Sequence, residues 1–282
     1  MWSNFHTHSN YCDGKGALSD YATKAKALSL FSLGFSSHAP LPFNCSWCMN
    51  GEALTRYLTE IEELKLIHPE LEIYKGLEVD FIPGMISVHQ FKDHLDYSIG
   101  SIHFVECYPD GKPWEIDGPR PAFLEGLATI FGNDARAAVT RYFELTREMI
   151  STACPTLIGH MDKIKIQNPE EKLFSESDPW YRDEIKKTVS LIRDSGAIVE
   201  VNTRGLYQKK SRTSYPSPWV LELLHQKKVP ITLSSDAHHP DDLINRFPET
   251  ASLLQQIGFK KLNALQGGTW KQFDFNENGF IL

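Results

Sequence analysis

The sequence has no apolar run that approaches the roughly 18 residues needed to cross a bilayer. Its opening segment, MWSNFHTHSN, contains neither the basic region nor the apolar region of a secretory signal peptide. Internal repeats and low-complexity tracts are also missing. We therefore expect a protein without membrane spans that resides in the cytoplasm.

Positive charge is in deficit, because 29 Lys and Arg residues face 36 Asp and Glu residues, for a net charge of −7. Proteins that bind nucleic acid through bulk electrostatics are usually basic, so nucleic acid is a disfavoured partner. Cysteine is scarce, and an odd total of five argues against a disulfide scaffold. Cys45 and Cys48 form a C-x-x-C motif, whose functional interpretation is a redox pair or half of a zinc site. Because no second C-x-x-C is present, a zinc ribbon is excluded, and a lone motif of this kind usually has no function.

What the sequence does contain is an alternation of short β-rich runs with longer helical runs. Seven runs predict strands, at residues 2–8, 33–38, 71–78, 97–103, 156–160, 197–202 and 230–235. Five runs predict helices, at residues 18–29, 51–67, 135–150, 181–194 and 217–227. This alternation is typical of β/α units around a parallel sheet. We predict an α/β fold in one domain, residues 1–282, built as a closed or nearly closed barrel.

Two connections are expected to border the active site. Residues 104–133 lack a regular pattern, and a connection of that length is usually a lid or a binding loop. We therefore expect an insertion around 104–134, in which Glu106, Asp110, Glu115 and Asp117 either hold a cationic substrate beside Trp114 or form a solvated acidic loop. A second loop, residues 38–47, is expected to shape the pocket.

Histidines and carboxylates cluster at the carboxyl ends of the predicted strands. Nine residues occupy this level: His6, His8, Asp13, His38, Glu78, His103, His160, Asp236 and His238. Side chains at positions i and i+2 of a strand point to the same face, so His6 and His8 aim together. A single histidine at a strand end is usually structural. Nine such residues at one level instead predict a site for more than one metal ion, with Zn, Mn and Fe all compatible.

These residues lie in motifs that resemble, in order, those of the PHP (polymerase and histidinol phosphatase) superfamily: HTHSNYCDG, SSHAP, GLEVDF, GSIHF, GHMDKIK, EVNTRG and SSDAHH. The resemblance runs from residue 6 to residue 239 and is nearest to the histidinol-phosphate phosphatase branch. It implies a distorted seven-stranded (β/α) barrel with three divalent metal ions. The implied ligand sets are His6, His8, Glu78 and Asp236 for one metal, Asp13, His38 and His238 for a second, and Glu78, His103 and His160 for a third.

The resemblance also implies hydrolysis of L-histidinol phosphate, a step of histidine biosynthesis, by a hydroxide that bridges two metal ions. Arg204 is the candidate for holding the phosphate, since its planar guanidinium matches phosphate oxygens, although a structural salt bridge is equally compatible. Asn202 and Lys165 are further candidates for substrate binding. Either His239 or a metal-bound water is expected to protonate the leaving alcohol.

Two alternatives remain open from the sequence. The same chemistry with a different pocket would act on another small phosphate ester, such as a nucleotide or a sugar phosphate. A nucleic-acid-associated or noncatalytic PHP module is disfavoured by the net negative charge and by nine chemically competent ligand positions. The expected partners are therefore a small phosphorylated substrate and inorganic phosphate as product.

Overall fold

The computed structural model describes residues 1–281 of the chain. Within that range it contains thirteen strands: β1 (Ser3–Asn4), β2 (Ser32–Phe35), β3 (Glu72–Lys75), β4 (Glu78–Asp80), β5 (Ile99–Ser101), β6 (Phe104–Cys107), β7 (Pro113–Glu115), β8 (Leu157–Ile158), β9 (Ile198–Asn202), β10 (Ile231–Ser234), β11 (Lys261–Gln266), β12 (Thr269–Asn276) and β13 (Gly279–Ile281). The same range contains eight α-helices: α1 (Leu18–Ala27), α2 (Leu54–Ile67), α3 (Arg120–Phe131), α4 (Ala135–Thr152), α5 (Pro179–Ser195), α6 (Arg204–Tyr207), α7 (Pro218–Gln226) and α8 (Phe247–Ile257). None of these helices is long and apolar enough to cross a membrane.

Two parallel sheets form the centre of the molecule. One has the strand order β1-β2-β3, and the other has the order β10-β9-β8-β5-β4. Two isolated parallel bridges, Thr7 with Ala237 and His38 with Glu78, link the chain just beyond the ends of the first sheet's strands to the second sheet. The predicted α/β class is thus confirmed, and α1, α2, α4, α5 and α7 confirm the five predicted helices to within a few residues.

Burial explains why these segments adopt their structures. All five residues of β9, with the sequence IVEVN, are buried, as expected for a parallel strand that is covered on both faces. Helix α5 begins with Pro179 at its first position and is terminated by the following Gly196, which adopts φ 75°. Its buried residues Ile185, Val189 and Ile192 follow helical spacing and form part of the main core.

The prediction that residues 104–133 are irregular was wrong. Strands β6 and β7 form an antiparallel hairpin, and α3 follows directly. Trp114 of β7 organises this segment, because its ring packs 5.0 Å from Phe123 and a side chain at Gly126 would collide with it. Trp114 is only 1% exposed. It is therefore a core residue of the insertion and does not offer its ring to a substrate.

The carboxyl-terminal region was not predicted beyond the seventh strand. Helix α8 is followed there by an antiparallel sheet of order β11-β12-β13. Trp270 of β12 packs 4.9 Å from Phe5, which lies just after β1. This contact attaches the extra sheet to the parallel core.

The C-x-x-C motif lies in the loop between β2 and α2. Cys45 and Cys48 are joined there by a disulfide bond, whereas Cys12, Cys107 and Cys154 are free. In this form the pair offers no free thiol to a zinc ion, so half of a zinc site does not agree with the structure.

Candidate metal centre

The candidate ligands follow the parallel strands, so the sheet topology brings them to one place. His6 and His8 come just after β1, and the bridge from Thr7 to Ala237 keeps this segment extended. His103 and His160 each lie two residues beyond the end of a strand, β5 and β8 respectively. Because carboxyl ends of parallel strands share one edge, residues distant in sequence meet there.

Glu78, the first residue of β4, is the centre of the cluster. Its side chain is 1% exposed. Its Oε2 atom lies 3.0 Å from His38 Nδ1 and 3.1 Å from His6 Nε2, and its Oε1 atom lies 2.9 Å from His160 Nε2. His8 and His103 are slightly farther, at 3.5 and 3.7 Å. Each carboxylate oxygen therefore faces a different set of imidazoles, which suits a bridging ligand.

Asp236 and Asp13 supply the other carboxylates. Asp236 Oδ1 lies 3.2 Å from His8 Nε2 and 3.4 Å from His238 Nδ1. Asp236 adopts φ 53°, a left-handed conformation that is uncommon for aspartate and often marks functional sites. Asp13 Oδ2 lies 3.2 Å from His238 Nε2, and this side chain is about one-third exposed. The second carboxylate is thus at the mouth of the cluster.

Three overlapping groups have ligand atoms close enough together to hold a metal ion. They are His8, Asp13, His38 and His238; His6, His8 and Asp236; and His38, Glu78 and His103. All nine residues expected from the sequence meet here, since His160 contacts Glu78 as well. Shared members place the groups side by side, as a multinuclear site requires.

The candidate donor atoms are better placed to bind metal ions than to form hydrogen bonds with one another. His6 Nε2, His8 Nε2, His38 Nδ1 and Asp236 Oδ1 are buried and have no hydrogen-bond partner in the described chain. Buried polar atoms are normally satisfied, so such a concentration of unsatisfied ones calls for an explanation. Imidazole and carboxylate donors are the usual ligands of Zn, Mn and Fe. The arrangement therefore suits a multi-metal site.

Buried charges set the electrostatics of this cluster. Burial alone would raise the pKa of Glu78, but His6 and the neighbouring imidazoles hold that pKa well below its usual range. Burial likewise opposes the charge on His103, yet the adjacent carboxylate of Asp80 raises its pKa to about 9. Burial and the facing His238 lower the pKa of His8 to about 4. The carboxylates are thus held ionised and ready to bind cations.

Two carboxylates that were not predicted from the sequence, Glu200 and Asp80, hydrogen-bond to the candidate ligands His6 and His103. Glu200 of β9 is fully buried, and its Oε1 atom lies 2.5 Å from His6 Nδ1. Asp80 of β4 accepts hydrogen bonds from the backbone N–H of His103 and from its Nδ1 atom, at 2.9 and 3.1 Å. Such contacts fix the tautomer and orientation of a ligating imidazole. Their signal in the sequence is spacing, because each carboxylate lies two residues from a candidate residue, Asp80 from Glu78 and Glu200 from Asn202.

A cavity of about 180 Å³ opens beside the cluster. It is lined by Asp13, His38, Trp47, Glu78, His103, Glu115, Asp117, Lys163, Ile166, Arg204, Gly205, Lys210, Tyr215, Asp236 and His238. Arg204, Lys163 and Lys210 bring positive charge to it. Lys163 was missed in the sequence, where Lys165 was preferred. Its Nζ atom lies 2.8 Å from Asp117 and 3.3 Å from His103 Nε2.

The other candidates for substrate or proton handling lie elsewhere. Lys165 is buried against Asp162 and the loop at residues 213–217, and it does not line the cavity. Asn202 lies behind the cluster, where its Nδ2 atom donates to Asp236 Oδ2 over 3.1 Å. The His239 ring is half-exposed and accepts a hydrogen bond from the backbone N–H of Asp241. Arg204 alone among these four reaches the cavity, and it donates to the Asp236 carbonyl over 2.9 Å.

The chain is similar to several known proteins. A histidinol-phosphatase from Bacillus subtilis is 28% identical over 258 residues, which cover 84% of this chain and 94% of that protein. A protein from Deinococcus radiodurans named "Probable histidinol-phosphatase" is 26% identical over 263 residues, covering 90% and 92%. The solved structure of histidinol phosphate phosphatase from Lactococcus lactis, in complex with zinc, L-histidinol and phosphate, superposes with a TM-score of 0.73 at 19% identity, covering 96% of this chain and 98% of that chain.

The family assignment comes from the chain's own pattern. Residues 4–204, well over half of the sequence, match the model of the PHP domain. That range contains seven of the nine clustered residues, and the other two, Asp236 and His238, follow β10 at the same edge of the sheet. The chain therefore belongs to the PHP domain family.

Proposed function

We propose that this protein is a metal-dependent phosphomonoesterase that hydrolyses L-histidinol phosphate to L-histidinol and inorganic phosphate. The observation that carries the proposal is the convergence of nine ligand residues on one edge of the cavity, with the guanidinium of Arg204 beside them. The relatives named histidinol-phosphatase, which match over most of their length, support the choice of substrate. The zinc, L-histidinol and phosphate of the Lactococcus lactis complex support it as well.

The architecture in this proposal is a distorted seven-stranded (β/α) barrel formed by the whole chain, residues 1–282. In it β3 and β4, which are separated by only two residues, act as one strand. The two parallel sheets and the bridges that link them support this closure. The hairpin and α3 form the insertion around 104–134 on the side of the cavity, as Glu115 and Asp117 in its lining indicate.

Three metal ions, whether Zn, Mn or Fe, would be held by the three ligand sets expected from the sequence. When bound, they would lower the pKa of a coordinated water and withdraw charge from the phosphate. The chain's own part is to hold the imidazoles in the ligating tautomer, through Glu200 for His6 and through Asp80 for His103. Buried partners of this kind leave the ligands little freedom to rotate.

Phosphate recognition is assigned to Arg204 and Lys163, which line the same cavity as the ligands. The contacts of Arg204 with the Asp236 carbonyl and with His238 hold its guanidinium beside the cluster. Burial alone would lower the pKa of Lys163, but Asp117 and the site carboxylates raise it above its usual value, so the ammonium persists. These cations would neutralise the equatorial oxygens as the P–O bond breaks. We assign no proton transfer to His239, because its ring is turned toward Asp241.

The substrate's own positive charge needs a carboxylate that is not already paired. Asp117 is engaged by Lys163 over 2.8 Å, whereas none of the ion pairs found in residues 1–281 gives Glu115 a cationic partner. Burial and the adjacent Asp117 raise the pKa of Glu115, which also hydrogen-bonds to Trp47, and a bound cation would favour its ionised form. Glu115 lines the cavity together with Trp47. We assign this acidic and aromatic wall to the ammonium and imidazole of histidinol phosphate. The phosphate end then faces Arg204 and the metal ligands.

The test is phosphate release from L-histidinol phosphate by the purified protein as isolated, after chelation, and after Zn, Mn or Fe is added back. A panel of nucleotide and sugar phosphates is measured in parallel. We expect metal-dependent release that is fastest with histidinol phosphate. His6→Ala should abolish it, whereas His94→Ala, which alters an exposed histidine that belongs to no ligand set, should not.

Each outcome has a separate meaning. Faster release from a nucleotide or a sugar phosphate would retain the chemistry and refute the substrate. Release that survives complete chelation would refute the role of the cluster. A cytoplasmic location stays a prediction from the sequence.

A further inference from the structure

The loop between β2 and α2 begins after the candidate metal ligand His38, and its other end lies beside the same residue. His38 precedes the loop, and the backbone N–H of Met49 donates to the His38 carbonyl over 3.2 Å. Between them, residues 40–48 form no helix or strand. No hydrogen bond found in residues 1–281 involves a backbone atom of residues 40–48, and the side chain of Trp47 hydrogen-bonds to Glu115. The position of this loop therefore depends on other contacts.

Those contacts are aromatic and covalent. Trp47 stacks on Phe104 of the insertion, with ring centroids 5.6 Å apart and planes 9° apart. Its ring centroid lies 4.5 Å from that of His38 and 5.4 Å from that of His103, both in T-shaped arrangements, and it lines the cavity. The Cys45–Cys48 disulfide closes a short ring around Trp47. Because the loop backbone makes no hydrogen bonds, this ring is the covalent restraint on the backbone that carries the indole.

We propose that Cys45 and Cys48 are a thiol–disulfide modification site that sets the position of Trp47, and thereby the affinity of the cavity for its substrate. The disulfide form holds the indole as a wall over the cavity, and the dithiol form releases it. This inference rests on the proposed function, since Trp47 is assigned there to the cationic end of the substrate. Both cysteines are partly exposed, so a small thiol can reach them.

The chemistry is thiol–disulfide exchange with a dithiol reductant. A thiolate of the reductant attacks one sulfur, the bond between the two cysteines breaks, and a mixed disulfide forms. The second thiol of the reductant then displaces the remaining cysteine. Two electrons and two protons pass to Cys45 and Cys48, which become thiols, and the reductant becomes a cyclic disulfide. No metal ion takes part in this exchange.

The disulfide spans only three positions, so it constrains the unfolded chain little compared with a long loop. Reduction should therefore change the local loop far more than the stability of the whole protein. For substrate affinity we expect a rise in KM of about two- to fivefold, the range for loss of one exposed aromatic–cation contact, with kcat nearly unchanged. Chymotrypsin, which cuts after aromatic residues, should cleave within residues 40–48 faster after reduction.

The experiment compares the oxidised wild type, the wild type treated with dithiothreitol, and the double variant Cys45→Ser/Cys48→Ser, using the best phosphate ester found in the panel. We expect the last two to share a raised KM and faster cleavage, and the double variant to be insensitive to dithiothreitol. That insensitivity excludes removal of metal by the reductant as the cause. Cys107→Ser is the matched control, because Cys107 is exposed and free, and it should respond as wild type does.

Trp47→Ala should reproduce the raised KM without further response to reduction. Five titratable thiols in the air-oxidised protein, or equal KM values and cleavage rates in the two redox states, would overturn the proposal. Failure of the proposed function has a different signature. No release from any phosphate ester would refute it, while the chymotrypsin comparison would still test whether the disulfide holds the loop.

Discussion

Replacing Glu200 with glutamine tests whether this unpredicted carboxylate fixes the ligating form of His6. Glu200 Oε2 accepts from the backbone N–H of His160 over 2.8 Å and from Asn202 Nδ2 over 3.2 Å, while Oε1 faces His6 Nδ1. In Glu200→Gln, two donors hold the amide oxygen at the Oε2 position. The amide NH₂ must then face His6 Nδ1.

This geometry reverses the tautomer of His6. Nδ1 would have to accept a hydrogen bond from the new amide, so the ring proton would move to Nε2, the atom that faces Glu78 over 3.1 Å. A protonated Nε2 cannot bind a metal ion. Loss of such an orienting partner lowers metal affinity by about 10- to 100-fold, which corresponds to about 1.4–2.7 kcal/mol.

The assay is a zinc titration against a chromophoric chelator, with circular dichroism to confirm that the variant folds. Glu222→Gln on α7 is the control, because it makes the same glutamate-to-glutamine change at an exposed position. We expect zinc affinity to fall only in Glu200→Gln. Affinities within twofold of wild type, in a folded variant, would refute the argument that the carboxylate sets the tautomer.

Three further predictions follow from named contacts. His8→Ala removes a ring shared by two ligand groups, so bound metal and phosphate release should fall by at least about 100-fold; unchanged metal content in elemental analysis would contradict the assignment. Arg204→Lys keeps the charge but loses the planar fork, so we expect a raised KM in steady-state kinetics. Glu184→Gln should cost about 1 kcal/mol at pH 7, because Arg147 lies 2.8 Å from this carboxylate. Burial would raise the pKa of Glu184, but Lys187 and Arg147 lower it overall, so this stability is present above its unfolded pKa and lost as the pH falls through the lower folded value. Urea unfolding at pH 7 and pH 4 should show the difference shrinking.

The sequence was sufficient to predict which side chains cluster, because strand order enforces their meeting. Runs of apolar residues that end in histidine or carboxylate predict both a parallel strand and the edge at which its last side chains lie. It was not sufficient to choose between Lys163 and Lys165. Both follow His160 closely, and residues 163–167 form a 3₁₀ turn that sends one ammonium to the cavity and the other to Asp162. The direction of a side chain in so short a turn depends on tertiary contacts.

The insertion shows a second limit. Glycine and proline near residues 111–121 indicated an irregular loop, yet Pro119 and Pro121 stand where a helix begins, and proline is well suited to the first turn. The hairpin before it is stabilised by burial of Trp114 against α3, a contact between segments that local sequence does not reveal. The same contact removed Trp114 from the cavity, while Trp47 from a different loop took that position.

The candidate metal ligands and the cavity wall thus come from different kinds of element, and this has a consequence for specificity. Glu78 and the histidines are held by strand ends and by buried partners, so their geometry is insensitive to changes in the surrounding loops. Trp47, Glu115 and Lys163 come from a loop, a hairpin and a 3₁₀ turn, which tolerate substitution and insertion more readily. Changes at these three positions should therefore alter which phosphate ester is hydrolysed before they alter whether metal ions bind. Panel activity measured beside metal content would separate the two effects, and a Glu115→Gln variant that loses metal ions would contradict this division.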